Sequence, residues 1–184
     1  MTFGVAILVG GASRRMGTPK QHAKLPDGTS LGQRVMQLAT GVSDLVVACG
    51  PAGALTGVEA LPDLAVHAGL GPLAGIETVL MSNRADRWLV LPCDMPWLQQ
   101  SQLASMRDYE SEGCVMLEGC GPLPLRIDTS ALGQVQEALE QRRLALKHLP
   151  CVRAAACLPV PDASTIRDAD RPGDLMGRSS RPRP

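Results

Sequence analysis

The sequence predicts an α/β fold of three layers, α/β/α, in which helices cover both faces of a mostly parallel mixed sheet. Three observations carry this: short apolar runs recur along the chain, amphipathic stretches separate them, and glycine- or proline-marked turns follow the runs. A chain of 184 residues suits one such domain and buries roughly 70% of the surface its unfolded form exposes.

Taken in order, "VAILVG" (residues 5–10), "LVVACG" (45–50) and "WLVLPCD" (88–94) are almost wholly apolar. Strands covered by helices on both faces read this way, so these are expected to be the central parallel strands. Between them, "LGQRVMQLAT" places Leu31, Val35, Leu38 and Ala39 on one helical stripe, and "LAGIETVLMS" does the same with Leu73, Ile76, Val79 and Leu80. The second helix is expected to open at Gly71 or Pro72, since proline is at ease in a first turn. Beyond Asp94, "GCVML" and "PLPLRI" suggest shorter strands, "SALGQVQEALEQ" a helix and "CVRAAACLPV" a further strand. Residues 1–176 are expected to form a single domain. The closing "GRSSRPRP", residues 177–184, has nothing apolar to pack and is expected to be a disordered basic tail.

Composition narrows the function. With 18 basic and 18 acidic residues, no global charge draws the chain to a polyanion or an anionic membrane. The only aromatics are Phe3, Trp88, Trp97 and Tyr109, too few to stack nucleic-acid bases. The six cysteines form no CxxC, and most lie in apolar strand-like runs where a reduced thiol acts as a small hydrophobe. With no signal peptide and no run of 18 apolar residues, the expected location is cytoplasmic. His22, His67 and His148 lack zinc-ligand spacing, which favours structural or solvated roles.

The stretch "LVGGASRRMGTPK" carries the chemistry. A buried strand ending at Val9 delivers Gly10 and Gly11 to the top of the sheet, where missing Cβ atoms let main-chain amides approach an anion. Each charge-assisted hydrogen bond to phosphate contributes about 1.5–3 kcal/mol. Arg15 and Lys20 would add positive charge where a leaving pyrophosphate becomes more negative. The spacing is neither the GxxxxGK[ST] phosphate loop nor the dinucleotide GxGxxG. Asp94 ends the "WLVLPCD" run and should lie at the carboxyl end of a central strand, beside the glycine loop. Its natural partner is magnesium, held by one or two carboxylates plus substrate phosphates. In "IRDADRPGDL", Asp168 and Asp170 alternate around Ala169; if that segment returns to the same rim, one of them could complete a metal site.

The pattern LxGGxSxRMGxxK is met at Leu8, Gly10, Gly11, Ser13, Arg15, Met16, Gly17 and Lys20, and "GLGPLAGI" and "PCDMPWL" follow in order. The chain thereby resembles the MobA-like nucleotidyltransferases, the family of the molybdenum cofactor guanylyltransferases, over nearly its whole length. The resemblance implies a Rossmann-like nucleotidyltransferase fold that transfers GMP from Mg-GTP to the phosphate of molybdopterin and releases pyrophosphate. By position, Leu8, Val9, Gly10, Gly11 and Ser13 would line the nucleotide, Arg15 and Lys20 would hold the triphosphate, and Asp63 would contact the nucleoside. Gly71, Pro72, Leu73 and Gly75 would shape the base and ribose side. Asp94 would bind Mg²⁺, or Mn²⁺ in its place, with Asp168 or Asp170 as a candidate second ligand. Arg15, Lys20 and Asp94 are thus the candidate catalytic residues. GTP and molybdopterin would be the small-molecule substrates, with transient contact to proteins that supply the cofactor or receive it.

The chain departs from the family pattern in three places. Val9 stands where alanine is usual, Pro19 replaces a common aspartate, and Asp168 and Asp170 replace paired asparagines. Acidic residues at the last two places also occur in sister cytidylyltransferases. CTP or another phosphate acceptor, and a non-catalytic nucleotide-binding subunit, therefore stand beside the guanylyl reading.

Overall fold

In the computed structural model, which describes residues 1–10 and 19–175, the apolar runs occupy the middle of a seven-stranded sheet. In chain order the strands are β1 (Phe3–Leu8), β2 (Val46–Cys49), β3 (Glu59–Leu61), β4 (Arg87–Pro92), β5 (Val115–Leu117), β6 (Leu125–Asp128) and β7 (Ala156–Leu158). Their order across the sheet is β3-β2-β1-β4-β6-β5-β7. Strands β3, β2, β1 and β4 run parallel. β6 is antiparallel to both β4 and β5, while β7 runs parallel to β5. The sheet grows one way from β1 to β3 and then restarts on the other side of β1 with β4. That reversal opens a crevice at the carboxyl ends of β1 and β4.

The helices are α1 (Leu31–Thr40), α2 (Pro72–Met81), α3 (Gln100–Asp108), α4 (Leu132–Glu140), α5 (Pro150–Arg153) and α6 (Pro172–Leu175). The pleat of β1 explains the layering. Val5 and Ile7 pack with Val35 and Leu38 of α1 and Leu103 and Met106 of α3. Ala6, between them, packs on the other face with Ile76 and Val79 of α2 and Val135 and Leu139 of α4. Both predicted helical stripes are buried in full. A reciprocal cap fixes the start of α1: the Gln33 amide donates to Ser30 Oγ at 3.1 Å, and the Ser30 amide to Gln33 Oε1 at 2.9 Å, an arrangement worth about 1 kcal/mol. Helix α2 opens at Pro72 with Gly71 as its N-cap, as the sequence implies.

The later chain departs from expectation in several places: α3 was not foreseen, and of "PLPLRI" only Leu125 onward is strand. Only Ala156–Leu158 of "CVRAAACLPV" is a strand; the residues before it turn helical as α5. Pro150 takes the first helical position, and the Arg153 amide donates to Leu149 O at 3.0 Å. The tail, residues 177–184, lies outside the described residues. No helix among the described residues is long and apolar enough to cross a membrane.

Gly50 closes β2 against the chain leaving β1. Its φ is +147°, and a Cβ built there would lie 1.9 Å from Val9 O. Gly50→Ala combines backbone strain with a main-chain collision and is expected to cost about 3 kcal/mol or more, a Tm fall of roughly 6–12 °C for a chain of this size, measurable by calorimetry.

The six cysteines carry free thiols. Burial, reinforced by the Asp63 carboxylate, pushes Cys49 up to about 12. Burial with Asp94 pushes Cys93 up to about 11. Cys157 is exposed. Native-state alkylation followed by mass spectrometry is expected to mark Cys157 and to spare Cys49 and Cys93.

Candidate functional site

Pairing of Leu8 with Pro92 sets the ends of β1 and β4 side by side. Beyond β1, the Val9 amide still donates to Cys49 O at 2.9 Å, which keeps Val9 in the core. Gly10 then leaves the sheet with φ +112°, a conformation that favours a residue without Cβ. Beyond β4 come Cys93 and Asp94. Between the two strand ends lies a cleft of about 420 Å³ whose walls include Leu8, Gly10, Lys20, Pro72, Asp94 and Asp168.

Lys20 lies in a short 3-10 turn, Lys20–His22, that follows the glycine-rich segment. Its Nζ donates to Asp94 Oδ2 at 2.6 Å and to Asp170 Oδ1 at 2.7 Å. Burial by itself would lower the lysine pKa, but the hydrogen bonds and charges of Asp170 and Asp94 outweigh it and hold the ammonium above its ordinary range.

The C-terminal segment does return to this rim. The Ala169 amide donates to Asp94 O at 2.7 Å, and Ala169 itself is fully buried. That one anchored residue leaves Asp168 and Asp170 on either side of it, in the cleft wall and against Lys20 respectively. The next turn is closed by Asp174, which accepts from the amides of Asp170 at 3.0 Å and Arg171 at 2.9 Å. Asp168 is pushed above the usual carboxylate range, first by burial and then by the charges of Asp94 and Asp170. Among the described residues no group of three or more His, Cys, Asp or Glu side chains forms a metal cage. Asp94, Asp168 and Asp170 instead form a like-charged rim, and among the described residues the Lys20 ammonium pairs with two of its carboxylates, Asp94 and Asp170.

The other residues singled out in the sequence fall at different depths. Leu8, Gly10, Lys20, Pro72, Asp94 and Asp168 line the cleft. Gly71 caps α2 at its mouth. Leu73 is buried in the core, and Gly75 lies in the helix where a Cβ would come within 2.9 Å of Leu8 Cδ2 and 3.0 Å of Cys49 Cβ. Its bareness therefore seats α2 on β1 and β2 beneath the cleft. Asp63, in the connection from β3 to α2, accepts from the Gly69 amide at 3.1 Å and is not among the cleft's lining residues. Gly11, Ser13 and Arg15 lie outside the described residues. The sequence did not single out Gln21, Met95 or the turn Gly121, Pro122, Leu123, all of which line the cleft. The glycine and prolines of "GCGPLP" were the available signal for that turn.

Residues 5–151 match the MobA-like NTP transferase domain. A relative from Methanothermobacter thermautotrophicus, named a probable molybdenum cofactor guanylyltransferase, is 30% identical over 93% of this chain and 96% of its own length. A relative of the same name from Geobacillus sp. is 35% identical over 58% of this chain, an alignment spanning 57% of that protein. In fold, the chain is similar to the crystal structure of molybdopterin-guanine dinucleotide biosynthesis protein A from Archaeoglobus fulgidus, with a TM-score of 0.75, 24% identity and 94% of each chain covered. The chain belongs to the MobA-like NTP transferase family and is a nucleotidyltransferase.

Proposed function

We propose that this nucleotidyltransferase moves GMP from GTP to the terminal phosphate of molybdopterin, forming molybdopterin guanine dinucleotide and releasing pyrophosphate. The observation that carries the reading is the meeting of Gly10, Lys20, Asp94 and Asp168 in one cleft at the switch point of the sheet. A relative aligned along almost its whole length bears the name of that activity.

The reaction asks little covalent work of the protein. A phosphate oxygen of the acceptor, already anionic, bonds to the α-phosphorus of the nucleotide, and the bond from that phosphorus to the bridging oxygen of the β-phosphate breaks, its electron pair leaving with pyrophosphate. What the chain supplies is position and charge. The main chain at Gly10 can approach the phosphates without a side chain between. Lys20, already charged and aimed into the cleft, turns from its aspartates to the departing phosphates. Asp94 with Asp168 or Asp170 offers the hard oxygen donors that suit magnesium, and their mutual repulsion is what a divalent ion would relieve. When bound, that ion supplies Lewis-acid neutralisation of phosphate charge.

The test is a panel: protein, magnesium and molybdopterin with each of the four nucleoside triphosphates, with pyrophosphate and the dinucleotide product measured. GTP-dependent formation of both products is expected. Product formed from CTP alone would assign the chain to cytidylyl transfer, the alternative favoured by the acidic pair Asp168 and Asp170. Binding without pyrophosphate release would make it a carrier.

A further inference from the structure

Helix α2 begins at the cleft and runs away from it. Pro72 at its first position lines the cavity, whereas Glu77, about one and a half turns further along, is only 2% exposed. A carboxylate is costly at such a depth unless something pairs with it. Glu77 Oε2 lies 2.6 Å from Nδ1 of His67. His67 belongs to the connection of residues 62–70 between β3 and α2, a chain of turns in which the His67 amide donates to Leu64 O at 2.9 Å and the Leu70 amide to His67 O at 3.1 Å. Asp63 closes the same connection by accepting from the Gly69 amide. A weaker tie joins it to the helix one residue beyond Glu77, where Thr78 Oγ1 reaches Pro62 O at 3.4 Å. The outer side of the connection is bare: Val66 is 77% exposed.

This connection is thus hung from α2 by a polar pair whose carboxylate is buried and whose imidazole is partly so, and it delivers the chain to Gly71 and Pro72 at the cleft. We propose that His67 and Glu77 are positioning residues for nucleotide binding: their bond holds residues 62–71 against α2 so that the Pro72 wall of the cleft keeps its place when a nucleoside triphosphate enters. Neither side chain touches substrate; both act through the connection. The inference rests on the nucleotidyltransferase reading of the cleft.

The test replaces both partners at once, His67→Leu with Glu77→Met, so that no buried charge is orphaned, and sets this beside Glu77→Gln, which retains an acceptor for the imidazole. Circular dichroism and Tm confirm folding. Elastase, directed at the exposed Ala65 and Val66, reports the hold on the connection, and the Kd and KM for the four magnesium nucleotides report the cleft. In the double variant, cleavage is expected to quicken about tenfold and the nucleotide KM to rise about tenfold, with kcat within about twofold and the acceptor KM unchanged. Glu77→Gln should stay near wild type in all of these. Unchanged cleavage would overturn the tether, and faster cleavage with unchanged nucleotide affinity would overturn its role in positioning. Wild-type protein that binds none of the four nucleotides would overturn the functional reading and the positioning role with it, and the elastase result would show separately whether the tether exists.

Discussion

Lys20→Ala is expected to leave the fold in place and to lower kcat/KM by about 10²-fold or more, about 2.7 kcal/mol of transition-state stabilisation. The ammonium lies 2.6 Å from Asp94 and 2.7 Å from Asp170 at the edge of the cleft, where in the proposed reaction the leaving pyrophosphate would gain charge. Its loss removes a compensating cation and leaves the acidic rim to repel both the triphosphate and itself. Asp168 should move further up, because the Lys20 charge pulls its pKa down. A rim short of one cation should also respond more strongly to a divalent ion, so magnesium should raise the Tm of the variant more than that of the wild type. Lys20→Arg should recover only part of the activity, since a planar guanidinium does not fit a slot that holds a compact charge between two close carboxylates. The raised pKa of Lys20 fixes the sign of the pH dependence. Its contribution to stability is complete below its unfolded value of 10.5 and is lost only as pH rises through the higher folded value. A loss of stability on the acid side of neutrality therefore has another source. Wild-type turnover in Lys20→Ala would remove the residue from the chemistry.

The parts of this molecule that were legible in its sequence are those that bury uniform apolar surface. Strands β1, β2 and β4 read clearly because both of their faces are covered, and α1 and α2 because one stripe of each faces the sheet. Asp94 was legible from its place alone, one step past an apolar run. Strand β3 was not, since three residues with an exposed glutamate make no pattern. Helix α3 was not either, because it buries only Leu103 and Met106 among polar neighbours. Arg126 is the opposite case. It is fully buried within a strand, where it donates to the carbonyls of Met106, Tyr109 and Ser111 and so pins the end of α3. No local pattern foretells a guanidinium whose two terminal nitrogens are held by three distant carbonyls. The return of Asp168 and Asp170 to the cleft was visible only as a condition, because it depends on one long-range bond from Ala169 to the main chain of Asp94.

That bond makes Asp94→Asn an informative change. The Ala169 amide is received by the main-chain oxygen of residue 94, so the variant keeps the C-terminal segment in place. The amide side chain can still accept from Lys20, so the local hydrogen bonding survives as well. What disappears is one negative charge facing the cleft, and with it one of the two carboxylates that push Asp168 up. If Asp94 serves as an oxygen donor to a divalent ion, the variant should fold with a Tm close to wild type and yet lose about 10²-fold or more in kcat/KM, about 2.7 kcal/mol. Its magnesium requirement should shift to higher concentration, since an asparagine oxygen holds a hard cation without the attraction of a full charge. If the carboxylate serves only to orient Lys20, the same substitution should leave the magnesium titration unmoved and cost far less. The two roles therefore separate on a single axis, the metal concentration giving half-maximal rate, measured on a variant whose folding is not in question.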